Sequence, residues 1–146
     1  MKTFDFVIIG GGSAGCVLAS RLSEDPNVEV CLIEAGGKDN SPLIHTPVGV
    51  AAIMPTKIHN WGFETVPQQG LNGRKGYQPR GKTLGGSSSI NAMMYARGHK
   101  YDYDLWQELG NSGWSYKECL PYFKKAENNE QHKDDYHGQG GPLSVA

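Results

Sequence analysis

The hydrophobic positions at the start of the chain change period twice, from a strand to a helix and back to a strand. Phe4–Ile9 is a β-rich run that stops at three glycines, as a fully buried parallel strand does. Helical spacing then links the apolar residues Ala14, Val17, Leu18 and Leu22. Ser23–Pro26 ends that helix, and Val28–Ile33 forms a second strand. This order predicts a right-handed β–α–β unit with a parallel sheet, and therefore an α/β fold.

The pattern between residues 38 and 80 is broken repeatedly by proline. Prolines at positions 42, 47, 55 and 67 argue against long helices in this segment. Val48–Met54 is compatible with a short helix or with a short strand beneath a loop. Asn60–Val66 alternates well enough to predict a strand, and Leu71–Arg74 is typical of a turn.

The last third of the chain contains one clear helix start and one strand. Ser115 and Glu118 have the spacing of a capping box, which predicts that a helix begins there. Pro121 removes one backbone hydrogen bond, so we expect a kink or a restart near Lys117. Residues 141–146 read as a strand without a visible partner, and an unpaired edge invites pairing with another copy.

Composition excludes several classes of function. Fourteen basic and 15 acidic residues give a net charge of -1, which leaves no electrostatic footprint for nucleic acid. The start of the chain lacks the pattern of a signal peptide, and no apolar run approaches a membrane span. The three cysteines are widely spaced, which favours reduced thiols and a cytoplasmic protein.

The glycines after the first strand have a specific chemical use. Gly10 permits the tight turn, Gly12 lets the backbone approach a pyrophosphate, and Gly15 lets the helix pack closely on the sheet. The helix start at Ser13 and Ala14 offers free N–H groups to phosphates. Glu34, after the second strand, is placed to accept ribose hydroxyl protons and would repel the 2′-phosphate of NADP. These features predict dinucleotide binding; a glycine-rich turn without ligand is the alternative.

A second glycine-rich motif lies at residues 81–104. Gly85 and Gly86 can adopt backbone angles that other residues avoid. Ser87, Ser88 and Ser89 are placed to cap a helix beginning near Ile90 and to offer hydroxyls and amides to a polar ligand. A flavin ring needs such donors, because reduction places negative charge on it. The alternative is a serine-capped helix after a flexible turn.

Together the two motifs resemble the glucose–methanol–choline (GMC) family of FAD-dependent oxidoreductases. The sequence GKTLGGSSSIN at Gly81–Asn91, followed by Tyr95, Gly98 and Asp104, is similar to the first signature of that family. The resemblance covers essentially the whole chain and is closest to the choline dehydrogenase and medium- to long-chain alcohol dehydrogenase branch. It implies an amino-terminal portion whose Rossmann-like sheet is incomplete without the rest of a longer chain.

The resemblance implies a bound FAD and a set of cofactor contacts. We expect Gly10, Gly12, Ser13, Glu34, Ser87 and Asn91 to line one elongated groove, with the adenosine near Glu34 and the flavin near Ser87. Trp61 is interpreted from the pattern as a core residue, and the resemblance makes it a cofactor contact instead. Ile90 stands where some family members attach FAD through a histidine, which implies dissociable FAD. The full set of expected contacts is Gly10, Gly12, Ser13, Ala14, Gly15, Glu34, Ala35, Trp61, Arg80, Gly81, Gly85, Gly86, Ser87, Ser88, Asn91, Ala92 and Met93.

The family's reaction is hydride transfer from an alcohol carbon to flavin N5 while a histidine takes the hydroxyl proton. None of the five histidines here matches the position of that base, so no catalytic residue is assigned. For the tract holding His132 and His137, a solvated loop is favoured over a metal site. Two functions stay open: the FAD-binding portion of an alcohol dehydrogenase, or a short flavin- or nucleotide-binding module without chemistry of its own.

The resemblance also suggests how the chain is organised and what it meets. We divide it into a dinucleotide-binding unit at 1–37, a loop-rich connection at 38–80, the flavin signature with following helices at 81–127, and a polar loop with a strand at 128–146. The expected partners are a small alcohol substrate, the carboxyl-terminal portion of the same protein and an electron acceptor, for which a membrane quinone is one candidate. A quinone acceptor would place the protein peripherally on the inner membrane.

Overall fold

The computed structural model describes residues 2–146 and divides the chain into two compact units. The first unit ends at Met94, and the second is Tyr95–Ala146. Each unit is built on short elements. Among residues 2–146, no helix has both the length and the hydrophobicity needed to cross a bilayer.

The first unit opens with the predicted β–α–β arrangement. Strand β1 is Phe6–Ile9, helix α1 is Ser13–Leu22 and strand β2 is Val30–Ile33. The two strands are parallel, with Phe6 opposite Val30 and Ile9 opposite Ile33. This confirms the α/β prediction with a parallel sheet.

The expectation that the first strand is fully buried is wrong. Val7 is 56% exposed and Ile9 is 86% exposed. The physical reason is that this sheet has only β1 and β2 among the described residues, so no third strand flanks it and helix α1 is the element packed against it.

The proline-rich connection folds into short pieces, as its broken pattern predicts. Helix α2 is Pro42–His45, a 3-10 turn is Pro47–Gly49, and helix α3 is Val50–Ile53. Of the two readings left open for Val48–Met54, the structure therefore has the helical one. The predicted strand at Asn60–Val66 is much shorter, because Gly62 has a φ of 59° and interrupts the extended backbone.

The remaining part of the first unit is a small antiparallel hairpin followed by the second glycine motif. Strand β3, Phe63–Glu64, pairs with strand β4, Tyr77–Gln78. The turn between them includes a 3-10 segment, Gln69–Leu71, and the left-handed residues Asn72 and Gly73, as the sequence predicts. A further 3-10 turn forms at Gly86–Ser89.

The prediction that Ser87–Ser89 cap a helix beginning near Ile90 is wrong. Ile90 follows the 3-10 turn with φ -130° and ψ 9°, and Met93 has a φ of 57°. Both conformations prevent a helix from continuing through this segment. The next helix, α4, begins only at Lys100.

The second unit pairs two helices with a two-stranded parallel sheet. Helix α4 is Lys100–Glu108, helix α5 is Tyr116–Ala126, strand β5 is Glu127–Asn129 and strand β6 is Leu143–Val145. The Ser115–Glu118 capping box is confirmed.

Two expectations in the second unit are wrong. Helix α5 begins at Tyr116 and continues through Pro121 as one element, so the expected restart is absent, whereas the kink near Lys117 stays a prediction; Lys117 is exposed, and water can satisfy its carbonyl. The strand at the end of the chain does have a partner, since β6 pairs in parallel with β5. The loop between them closes within the same unit, which the local pattern did not reveal.

Candidate functional site

The first glycine loop leaves open space beside an uncapped helix start. Gly10 has a φ of 97° and turns the chain from β1 towards α1. Side-chain methyl groups added at Gly10 or Gly12 would meet no atom within 4 Å. Among the described residues, no side chain caps α1 at Gly12. The loop therefore presents unblocked amides and a positive dipole end to an open groove.

Glu34 organises the loop from the end of the second strand. Its carboxylate accepts hydrogen bonds from the amide of Gly11 at 2.7 Å and from the amide of Gly36 at 2.8 Å. The two bonds use different oxygens, so each oxygen keeps a lone pair for another donor. The carboxylate is thus fixed in place and half-buried at the edge of the groove.

The second glycine motif packs directly on the first. The amide of Gly85 donates to the carbonyl of Gly11 at 2.7 Å, and the hydroxyls of Ser13 and Ser88 are hydrogen-bonded. A methyl group on Gly86 would lie 2.9 Å from the Cα of Gly12, a distance that real side chains avoid. Glycine at position 86 therefore permits the two backbones to approach each other, and the two motifs form one floor.

A buried asparagine holds the hairpin against this floor. Asn60 is 2% exposed, and its Nδ2 group donates to the Tyr77 hydroxyl at 2.7 Å and to the Thr56 carbonyl at 3.0 Å. Its Oδ1 atom accepts from the amides of Gly62 and Arg80, both at 3.0 Å. These bonds fix the backbone on both sides of Trp61.

Trp61 and Phe63 form a parallel aromatic wall. Their ring centroids are 5.5 Å apart and the rings are 9° from parallel. Trp61 is 38% exposed, so its interpretation as a core residue is wrong. The side chain instead lines a groove, together with that of Phe63.

The groove has a volume of about 460 Å³ and brings several expected residues together. Its lining residues from the expected set are Gly10, Gly12, Glu34, Ala35, Trp61, Arg80, Gly81, Gly86 and Ser87. An adjoining cavity shares Gly10, Gly12 and Ser87 and adds Ser13, Ala14 and Gly15. Glu34 and Ser87 thus lie along the same groove rather than on opposite faces.

The remaining expected residues lie elsewhere. Ser88, Asn91 and Met93 line a separate cavity of about 250 Å³, so the single groove drawn through Asn91 is not observed. The Oδ1 atom of Asn91 accepts from the amide of Met93 at 2.8 Å, which explains the sharp turn at that point. Gly85 and the exposed Ala92 line none of these three cavities within the described chain.

Sequence reasoning missed three apolar residues of the groove and one polar neighbour. Ile9, Ile33 and Phe63 line it, and the Lys82 ammonium lies over the Trp61 ring. The alternation of residues 60–66 in the sequence carried a signal for Phe63, since it predicts residues 61 and 63 on one face. For Lys82 no local pattern existed, because its contact joins segments that are distant in sequence.

The second unit contains an ion pair between Arg97 and the buried Glu127. Glu127 is fully buried and accepts from Arg97, from Asn129 at 2.9 Å and from the amide of Gly138 at 2.8 Å. Burial alone would raise the pKa of Glu127, but these bonds and the Arg97 charge outweigh it and lower the pKa. The pKa of Arg97 is raised, although burial opposes the shift, because Tyr95 and Glu127 favour its charged form.

Hydrogen bonds connect the side chains of the histidine tract. His137 Nδ1 lies 2.7 Å from Asp134 Oδ1, and this contact lowers the pKa of Asp134. The rings of His132 and His137 stack with centroids 4.9 Å apart. Among residues 2–146, no group of three His, Cys, Asp or Glu side chains is placed to hold a metal ion. The three cysteines are free thiols.

The groove fits a dinucleotide such as FAD on structural grounds. It offers the open approach at Gly10 and Gly12 to a phosphate, a fixed carboxylate to a ribose and an aromatic wall to a flat ring. A family model described as GMC oxidoreductase matches residues 4–146.

Curated relatives share about half of the residues of this chain. An alcohol dehydrogenase [acceptor] from Pseudomonas putida is 54% identical over 144 residues, which is 98% of this chain and 26% of that protein. An oxygen-dependent choline dehydrogenase from Vibrio vulnificus is 52% identical over 142 residues, covering 97% of this chain and 25% of that protein. The chain spans about a quarter of the length of these relatives.

Solved structures agree with this comparison. A pyridoxine 4-oxidase from Mesorbium loti has a TM-score of 0.90 and 43% identity, over 97% of this chain and 28% of that one. A formate oxidase from Aspergillus oryzae RIB40, studied for its FAD modification, has a TM-score of 0.83 and 36% identity over 97% of this chain and 26% of that one.

Proposed function

The chain belongs to the GMC oxidoreductase family, and on that premise we propose that it is the FAD-binding portion of a flavin-dependent alcohol dehydrogenase. FAD is the cofactor of this family region. The observation that carries the proposal is the single groove that runs from the Glu34 carboxylate past Gly12 to Ser87.

Each part of the groove has a role in holding the cofactor. The free amides at the start of α1 bind the pyrophosphate, and Gly12 leaves room for it. Glu34 accepts hydrogen bonds from the ribose hydroxyls through the lone pairs that Gly11 and Gly36 leave free. Ser87 offers a hydroxyl towards the flavin end.

Bound FAD supplies a two-electron acceptor for a hydride from the carbon of a CH–OH group. The residues of this chain bind and orient that acceptor. We assign no proton-accepting base to the five histidines, and the base belongs to the additional length that the relatives have. Ile90 is 3% exposed and carries no nucleophilic atom, so we propose dissociable FAD, which acid precipitation should release completely.

The proposed substrate is a small alcohol, either choline-like or a medium- to long-chain primary alcohol. This rests on the relatives, whose names specify an alcohol and choline. We also propose a membrane quinone as electron acceptor, which would bring a cytoplasmic protein to the surface of the inner membrane.

The test is a titration of the purified chain with FAD, comparing wild type with Glu34→Gln. Glutamine has one acceptor oxygen where Glu34 uses two, so FAD affinity should fall about tenfold or more. Glu64→Gln is the matched control, since Glu64 is an exposed residue paired with Lys75 at 3.5 Å. Equal affinities for wild type and Glu34→Gln would contradict the proposed site.

A second experiment separates the dehydrogenase from a binding module without chemistry. The gene is read past codon 146, and any longer product is assayed with choline, medium-chain primary alcohols and an artificial electron acceptor. Flavin-dependent turnover supports the dehydrogenase. A stop codon at that point, with no adjacent frame encoding a remainder, supports the module.

A further inference from the structure

The backbone of Lys82 contacts two segments that border the groove. Its amide donates to the carbonyl of His59 at 2.8 Å, and His59 directly precedes the buried Asn60. On the opposite side, a methyl group on Gly36 would lie 2.1 Å from the carbonyl carbon of Lys82. The backbone of Lys82 is therefore packed between the hairpin and the loop that follows Glu34.

The side chain of Lys82 points its charge at an aromatic ring. Its Nζ atom is 4.3 Å from the centroid of the Trp61 ring. Within the described residues, Lys82 takes part in none of the salt bridges. It is not among the residues that line the groove, whereas Trp61 is. The contact that links the ammonium group to the groove wall is therefore the one with Trp61.

We propose that Lys82 is a positioning residue that holds the Trp61 ring against the adenosine half of the bound cofactor. The inference rests on the proposed function, because it requires a dinucleotide in the groove. Trp61 is partly exposed, and without a fixed neighbour such a ring can leave its rotamer. The cation on its face and the stacked Phe63 together keep the indole at the wall.

The choice of the adenosine half is part of the proposal: Trp61 shares the groove with Glu34 at one end and with Ser87 at the other, and the comparison of ADP with FMN decides between the two ends. Trp61 and the ribose-binding carboxylate line the same groove, with Ala35 and Arg80 also at its edge. A loss of order at Trp61 should therefore weaken ligands that carry an adenosine and leave others unchanged.

Two variants separate the effect of the positive charge of Lys82 from the effect of the length of its side chain. Lys82→Met removes the charge and keeps an unbranched chain, while Lys82→Arg keeps a cation that also favours aromatic faces. Lys75→Met is the matched control, because Lys75 is an exposed lysine of the same hairpin whose partner is Glu64 rather than a ring.

Equilibrium dialysis of the 146-residue chain with FAD, ADP and FMN gives the first measurement. Lys82→Met should bind FAD and ADP about three- to tenfold more weakly, the range expected for loss of one cation–π contact. Its affinity for FMN should not change. Lys82→Arg and Lys75→Met should both behave as wild type.

The outcomes distinguish a failure of this inference from a failure of the proposed function on which it rests. If wild type binds neither FAD nor ADP, the proposed function fails and the inference fails with it. If wild type binds FAD and Lys82→Met binds all three ligands as tightly, the inference alone is wrong. An equal loss for FAD, ADP and FMN would also overturn it, since that result indicates general damage to the fold.

Fluorescence anisotropy gives a second measurement that needs no ligand. In a Trp106→Phe/Trp114→Phe background, Trp61 is the only remaining indole. Its anisotropy should fall in Lys82→Met and recover in Lys82→Arg, with circular dichroism unchanged. Equal anisotropy in all three proteins would show that Lys82 does not hold the ring.

Discussion

At the scale of single residues, the first glycine motif separates a residue needed for binding from one needed for folding. A methyl group on Gly12 would meet nothing within 4 Å, whereas one on Gly15 would lie 1.9 Å from the carbonyl oxygen of Gly10. Gly12 also has a φ of -77° and a ψ of -170°, which alanine adopts without strain.

Substitution by alanine should therefore have opposite consequences at these two positions. Gly12→Ala should keep the melting temperature of wild type and weaken FAD binding about tenfold or more, because the methyl blocks the amides from the phosphates. Gly15→Ala should destabilise the chain by about 2 kcal/mol, since backbone must move to make room. Thermal melts and FAD titrations of both variants test this. A Gly12→Ala protein with unchanged FAD affinity would contradict the assignment.

The ion pair between Arg97 and Glu127 predicts a large loss of stability from a single isosteric substitution. Glu127→Gln leaves the Arg97 guanidinium without its carboxylate in a buried site, so we expect a loss of about 3 kcal/mol in the free energy of unfolding. Glu130→Gln is the control, because Glu130 is exposed and its backbone amide makes the only bond found for it in the described chain. Urea titration followed by circular dichroism measures both.

The same carboxylate predicts a dependence on pH. The folded pKa of Glu127 lies below its ordinary value of 4.5, so the unfolded chain takes up the proton first. The stabilisation is complete above that ordinary value and is lost as the pH falls through the folded pKa. The difference in stability between wild type and Glu127→Gln should be greatest near neutral pH and shrink in acid. A constant difference down to acid pH would argue against an ionised Glu127.

At the scale of elements, α4 depends on an unusual cap. His99 Nδ1 accepts from the amide of Tyr101 at 3.2 Å, and Asp102 accepts from the amide of His99 at 3.2 Å. His99→Ala should lower the stability of the second unit by about 1 kcal/mol, and His99→Asp should restore it, since aspartate is a strong cap. Thermal melts of the two variants decide the point; a stable His99→Ala protein would show that the cap contributes nothing.

Elements whose signals are local were predictable from the sequence. The β–α–β unit and the Ser115 capping box each depend on neighbouring residues, and both are present. The prediction of a helix near Ile90 was wrong because Ser87–Ser89, which resemble helix caps, lie in a 3-10 turn. The hydroxyl of Ser88 is also hydrogen-bonded to that of Ser13. The partner of the last strand was missed because β5 starts with the buried glutamate and contains no apolar alternation.

The candidate site could be predicted only in part, because some of its residues follow a local spacing and others depend on contacts between distant segments. Gly10, Gly12 and Glu34 follow a known spacing and line the groove as expected. Asn91 does not line it, since its side chain stabilises a local turn at Met93. Lys82 acts through a contact made only after folding, and no spacing along the chain encodes that contact.

At the scale of the whole molecule, the exposed sheet sets the behaviour of the isolated chain. Val7 and Ile9 leave apolar surface on an open two-stranded sheet, which favours association with other copies. We expect the purified chain to associate, to bind FAD weakly and to oxidise neither choline nor medium-chain primary alcohols with an artificial acceptor.

Sedimentation velocity at several concentrations and a turnover assay test this expectation together. Val7→Glu, which places a charge on the exposed sheet, should reduce association, while Lys133→Glu in the polar loop should not. Turnover of an alcohol by a monodisperse monomer would show that the chain needs no further part.

The bond between the amide of Gly85 and the carbonyl of Gly11 has a consequence for biosynthesis. The β–α–β unit leaves the ribosome first, yet the floor of the groove exists only after a long loop has closed upon it. Loop closure of this kind is a slow, non-local event compared with formation of a helix or a hairpin. A nascent chain arrested before the second motif should therefore hold no FAD. Cofactor capture must wait until residues 85–88 have emerged and docked.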